Sequence, residues 1–211
     1  MIKITPKTIE DEINMPYFDY VEYLIEKYGP AQYDYFHNKF CVSKNNKISR
    51  TAEGLFCHHI DEDKAIMLSE PEVAREQPFE YQKASRLVYC NFLEHLLLHI
   101  KILTEDLANE EEGRRGVGLG GAMMLWRQLN GFYIGRKAVG WKKNVFGVVK
   151  DKYDEYISIM QHLKSVIENT KATDYCTIES LAYDWDGRLI MDIYKDIAPD
   201  KQTSKVMLTV D

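Results

Sequence analysis

RLVYCNFLEHLLLH, residues 86–99, joins a β-prone run to the start of a strongly apolar helix that carries two histidines. Asn91 stands where a helix N-cap belongs, and Glu94 follows three positions later, the spacing of a capping box. The apolar pattern continues through HIKILTEDLA and predicts a helix over about 92–108. His95 and His99 are four residues apart, so their imidazoles share one face, a turn from each other. A lone histidine on an apolar face is most often a packed core residue. Two at this spacing ask whether a second pair lies elsewhere in the chain.

LFCHHIDEDK, residues 55–64, supplies it with His58 and His59 side by side, in a chain with only six histidines. Residues 48–60 alternate weakly and predict a strand ending at this pair. The stretch 61–84 is polar, contains Pro71 and Pro78, and reads as a long loop with a short helical turn or two. Loops of that length inside a compact domain usually carry function. LVYC, 87–90, is a second short strand. The order is strand, histidine pair, long loop, short strand, helix with two histidines, which is the layout of a ββα-metal motif.

On CHHIDED (57–63) and RLVYCNFLEHLLLH (86–99), the chain resembles the HNH (His-Me finger) endonuclease family, in the all-histidine form of the colicin-type nucleases. The resemblance spans residues 55–99. It implies metal-dependent hydrolysis of phosphodiester bonds, with double-stranded DNA as the expected partner. It makes His59 the general base and His58, His95 and His99 the ligands of one divalent ion. Neutral imidazole suits Zn, Ni or Mn better than Mg, so zinc is the expected ion. Three protein ligands leave a position open for water or substrate. The chain departs from the family at one place. A middle asparagine that helps hold the base histidine is replaced by Arg86, preceded by Ser85. Ser85 or a backbone carbonyl could then hold His59, and Arg86 becomes a candidate phosphate clamp, with a surface role as the alternative.

Other chemistry competes for the same residues. Cys57, His58, Cys90 and His95 could close a structural Cys2His2 zinc site. A protein that keeps the metal fold without cleaving, and only binds nucleic acid, is a further alternative. Gly116, Gly118 and Gly121 spell GxGxxG, but no strand precedes them, as a dinucleotide fold requires. They fit better as a flexible loop at a helix N-terminus, with Arg114 and Arg115 meeting phosphates.

The net charge of −6 argues against a nucleic-acid partner until its distribution is seen. Residues 113–150 hold eight basic side chains and no acid, a segment of +8 against −14 for the remainder. Arg114, Arg115, Arg136, Lys137, Lys142 and Lys143 are the candidate DNA contacts, with Trp126, Trp141 and Phe146 interleaved. A solvated face is the bland alternative, but charge this segregated makes a local field that the total hides.

The remaining periodicities predict helices over 8–28, 31–40, 121–130 and 150–169. CTIESLAYDWDGRLIMDIYKDI, from 176, predicts two strands joined at Asp186-Gly187. The expected fold is α+β, a mostly helical body with an embedded ββα-metal module and a small C-terminal β hairpin. Four regions are expected: helical 1–47, the module at 48–108, basic helical 109–170, and β-rich 171–211. Four well-separated cysteines and the absence of an export signal or long apolar run predict free thiols, a cytoplasmic location and no membrane partner.

Overall fold

The amphipathic stretch at 8–28 forms two helices, not one. Helix α1 (Ile9–Asn14) starts at Thr8, whose side chain and that of Asp11 make a reciprocal capping box. It stops because Pro16 follows. Proline has no N–H to give, and it drives the residue before it out of helical conformation. Met15 is accordingly extended (ψ 139°). Helix α2 (Tyr17–Tyr28) restarts at once and ends at Gly29, φ 80°. Between them, the Lys101 ammonium donates to the carbonyls of Ile13 (2.8 Å) and Met15 (2.5 Å).

The computed structural model of the chain describes residues 8–108, 116–170 and 176–204. After α2, residues 31–40 are not the expected helix. Their backbone pairs outward instead: the Tyr35 N–H donates to the Gln82 carbonyl at 2.7 Å, and the Tyr35 carbonyl accepts from the Asn45 N–H at 2.8 Å. Strand β1 (Phe56–His59), the short helix α3 (Pro71–Ala74) and strand β2 (Leu87–Cys90) follow. The two strands form an antiparallel pair in which His58 faces Val88 and His59 faces Leu87.

Helix α4 (Phe92–Ala108) leaves β2 after a single residue. Its start is as the sequence predicts: the Asn91 side-chain oxygen accepts from the N–H of Leu93 (2.9 Å) and Glu94 (3.0 Å), and Glu94 accepts from the Asn91 N–H (2.7 Å). The helix is apolar on nearly every side, as a helix through the middle of a core must be. Leu97, Leu98 and Ile102 pack with α2 and β2. Leu93, Leu96, Ile100 and Leu103 pack with α5 (Leu119–Tyr133) and α7 (Tyr153–Glu168). Between these two lies α6 (Lys142–Gly147). A third cluster, including Tyr35, Ile48 and Leu87, backs the sheet.

The C-terminal β hairpin is replaced by helical turns. Only one antiparallel bridge, Tyr183 with Leu189, spans the turn at Gly187. Helix α8 (Met191–Ile197) then follows. The cause is where the apolar side chains are buried: Leu181, Ala182, Ile193 and Ile197 join the core that contains α4, α5 and α7. Ile193 and Ile197, four apart, make one helical stripe on that surface. Among the described residues the architecture is therefore mixed, mainly helix with one two-stranded sheet. Among the described residues no helix is long and apolar enough to cross a membrane.

Candidate metal centre

The antiparallel pairing and the tight step from β2 into α4 bring the end of β1 against the first two turns of α4. The rings of His58, His95 and His99 meet there as a near-equilateral triangle, with centroids 5.2, 5.0 and 5.0 Å apart. Each offers a nitrogen, and the three lie within 4.8 Å of one another, so the group can hold a metal ion. His58 and His99 are buried, and His95 keeps a partly exposed edge.

The hydrogen bonds show which nitrogens are bare. The Tyr17 hydroxyl donates to the Ile60 carbonyl at 2.8 Å. It must then accept at 3.2 Å from His58 Nε2, which carries the proton and leaves Nδ1 without one. Nδ1 of His58 and Nδ1 of His95 are buried with no hydrogen-bond partner among the described residues. Buried polar atoms are nearly always paired, so two orphans in one cluster are the signature expected of ligands. The donor set fits a borderline ion such as zinc. Burial, and the neighbouring imidazoles, push His58 and His95 well below the ordinary histidine value. Burial alone takes His99 down to about 4. All three are thus neutral near pH 7, the form that ligates.

His59, 1% exposed, is not part of the triangle: its ring packs on Tyr35 at 4.3 Å, and Glu62 lies between it and His58, with Oε1 3.9 Å from His59 Nδ1 and Oε2 3.7 Å from His58 Nδ1. Its Nε2 lies 2.9 Å from Gln82 Oε1. Gln82 is itself buried, and its amide nitrogen donates to the Leu68 carbonyl at 3.2 Å. The amide oxygen therefore faces His59 and can only accept, which fixes the proton on Nε2 and leaves Nδ1 as the basic nitrogen. Burial lowers His59 to about 4, against the raising effect of the Gln82 hydrogen bond. The holder of His59 is thus Gln82, in the 3-10 turn Phe79–Gln82, and not Ser85 or a backbone carbonyl. Nothing in the polar loop 61–84 marks it in sequence. Glu62 was missed too: burial raises its carboxyl to about 8, and it faces His58, His59 and His99.

Arg86 is placed differently from the expected phosphate clamp. Its Nε and Nη2 fork onto the buried Asp61 carboxylate at 2.6 and 2.5 Å, a strut that holds the turn after β1. The Cys2His2 alternative also fails. Successive strand residues point to opposite faces, and Cys57 packs with Leu87 and Tyr89 in the cluster behind the sheet, away from His58. The group that could hold a metal ion contains no cysteine.

The glycine-rich stretch has a packing reason. Gly118 caps α5 at φ 90°, and a side chain there would run into the backbone of His99 and Leu103. A Cβ on Gly121 would overlap the His99 ring. These two glycines let α5 close over α4, and the GxGxxG resemblance is incidental to that.

The basic candidates divide. Arg114 and Arg115 lie outside the described residues. Arg136 is engaged by Asp184 (3.1 Å) and Asp186, so it braces the C-terminal turn. Lys137 and Lys143 are exposed, and Lys142 lies over the Trp141 ring at 6.0 Å. Trp141, 49% exposed, packs edge-on against Phe56 at 5.8 Å, and Phe56 touches His95 at 5.0 Å. The cationic turn therefore stands two rings from the triangle. No protein-family model, curated protein or solved structure matches this chain.

Proposed function

We propose that the protein is a metal-dependent endonuclease of the HNH type that hydrolyses phosphodiester bonds in DNA. The observation that carries this reading is the histidine triangle, with two buried and bare Nδ1 atoms, beside a fourth histidine held in a single tautomer. The order β1, long loop, β2, α4 supports it, since it is the ββα layout of that family. A divalent ion held by His58, His95 and His99 would polarise the phosphodiester and stabilise the departing oxygen.

The protein's own side chains do the rest. His59 accepts the proton of the attacking water at Nδ1, while Gln82 keeps Nε2 protonated. Tyr17 orients His58, the outer-shell role that ligating histidines generally require. Lys137, Lys142 and Lys143 meet the phosphate backbone, and the exposed face of Trp141 offers a stacking surface. Phosphate contacts give affinity with little sequence information, so cleavage should be weakly specific.

The test is plasmid nicking by metal-stripped protein resupplied with Mg, Mn, Ni or Zn, beside a His59→Ala variant that still binds metal. Nicking should require an ion and fall about 10²- to 10⁴-fold in the variant, the usual worth of a general base. One observation favours a second reading, a structural metal site in a protein that binds without cutting: His59 is almost wholly buried. Tight binding of one ion with no nicking under any ion would select it.

A further inference from the structure

We propose that Glu62 is the fourth ligand of the histidine site, making it a His3Glu centre closed by the chain itself. This rests on reading the triangle as a metal site. Glu62 lies in the 3-10 turn Ile60–Asp63 that follows β1 directly, and its side chain is 16% exposed. One carboxylate oxygen, Oε2, is 3.5 Å from His99 Nε2 and 3.7 Å from His58 Nδ1. The other, Oε1, is 3.9 Å from His59 Nδ1.

These distances exceed those of good hydrogen bonds. Those to His99 and His58 suit ligands of one ion; the three-histidine group does not itself include Glu62, so the carboxylate joins it by a small swing toward His95. Bonds of about 2.0–2.1 Å in a tetrahedron put neighbouring ligand atoms roughly 3.4 Å apart. The carboxylate also has no cation of its own among the described residues. Both cations that the turn attracts, Arg86 and Lys64, go to its neighbour Asp61, at 2.5 and 2.6 Å. Glu62 is left facing imidazoles, one of which presents a bare and buried Nδ1. A partly buried carboxylate and bare imidazole nitrogens, too far apart to satisfy each other, are both satisfied by one divalent cation between them.

The strut from Arg86 to Asp61 acquires a purpose in this arrangement, since it fixes the turn that aims Glu62. Glu62 then fills the position that catalytic sites of this kind leave to water or substrate. With an ion held there, a phosphate oxygen would have to displace the Glu62 carboxylate, whose side chain is 16% exposed.

The deciding experiment uses the full chain, stripped of metal and titrated with Co²⁺ and then Zn²⁺, as wild type, Glu62→Gln and His58→Ala. Four-coordinate Co²⁺ absorbs strongly in the visible and higher-coordinate Co²⁺ weakly, so the spectrum reports the ligand set without any assay of cleavage. The wild type is expected to show an intense band. Glu62→Gln should weaken and shift it and lower zinc affinity at least about 10-fold, the lower end of what outer-shell changes already cost. Circular dichroism of the metal-free proteins checks that folding is unchanged. Should Glu62→Gln lose its fold, Glu62→Ala, at a position already partly exposed, takes its place. A variant with wild-type affinity and spectrum overturns the role of Glu62 while the metal reading stands. A wild type that binds neither ion, or His58→Ala binding like wild type, overturns the metal reading and this proposal with it.

Discussion

At the scale of single residues, the candidate site was half legible. His95 and His99 announce themselves by helical spacing, and His58 and His59 by adjacency. Gln82 and Glu62 do not. Both lie in a polar loop, where amides and acids are the residues expected to face water, and only the folded chain shows one buried and the other nearly so. Arg86 misled for the complementary reason. A basic residue beside a motif suggests phosphate, yet its partner Asp61 lies 25 positions away along the chain. Gln82 offers the sharpest test at this scale. Gln82→Leu removes the acceptor that fixes the His59 tautomer but touches no ligand. Nicking should fall about tenfold or more, equivalent to about 1.4 kcal/mol in the barrier. Zinc affinity, measured by competition with a chromophoric chelator, should stay as in wild type. A parallel loss of zinc would show that Gln82 supports the ligands instead.

At the scale of elements, α4 could be read almost to its boundaries because every local signal agreed: cap, capping box and a sustained apolar run. Elsewhere tertiary contacts overrode pattern. Pro16 splits the first helix, and within residues 31–40 the Tyr35 backbone donates to Gln82 and accepts from Asn45. The last segment alternates like a strand, but its apolar residues meet a helical surface, with the two-stranded sheet built by other residues. The contact between α5 and α4 carries a prediction that sequence alone did not suggest. Gly121→Ala adds one methyl group where the His99 ring lies. Alanine raises helix propensity by about 1 kcal/mol over glycine, so the helix itself gains. Metal affinity should nevertheless fall, because His99 is pushed off its position. Isothermal titration with zinc, beside a thermal melt of the metal-free protein, separates the two effects.

At the scale of the whole molecule, the segregation of charge was visible in sequence, but the destination of each charge was not. Arg136 and Arg188 both converge on the buried Asp184. Burial by itself would raise that carboxyl. Hydrogen bonds from the Arg188 backbone and side chain, with the Arg188 and Arg136 charges, outweigh it and hold Asp184 below the usual carboxylate range. The folded value is thus lower than the unfolded one. Its contribution is complete above the unfolded value of about 3.9 and is lost as pH falls through the folded value. The urea midpoint of wild type should therefore drop more steeply than that of Asp184→Asn below about pH 4. Equal slopes would show that the cluster adds nothing to stability.

The burial of α4 has a last consequence, for time instead of energy. The helix that carries His95 and His99 is packed by α2 on one side and by α5 and α7 on the other. Segments so enclosed open only with the whole fold, so their amide protons exchange last. An ion seated on such a helix has no private unfolding event through which to escape. Its residence would be governed by bond breaking at the rim near His95 and Glu62, and it would leave one ligand at a time while the protein around it stayed shut.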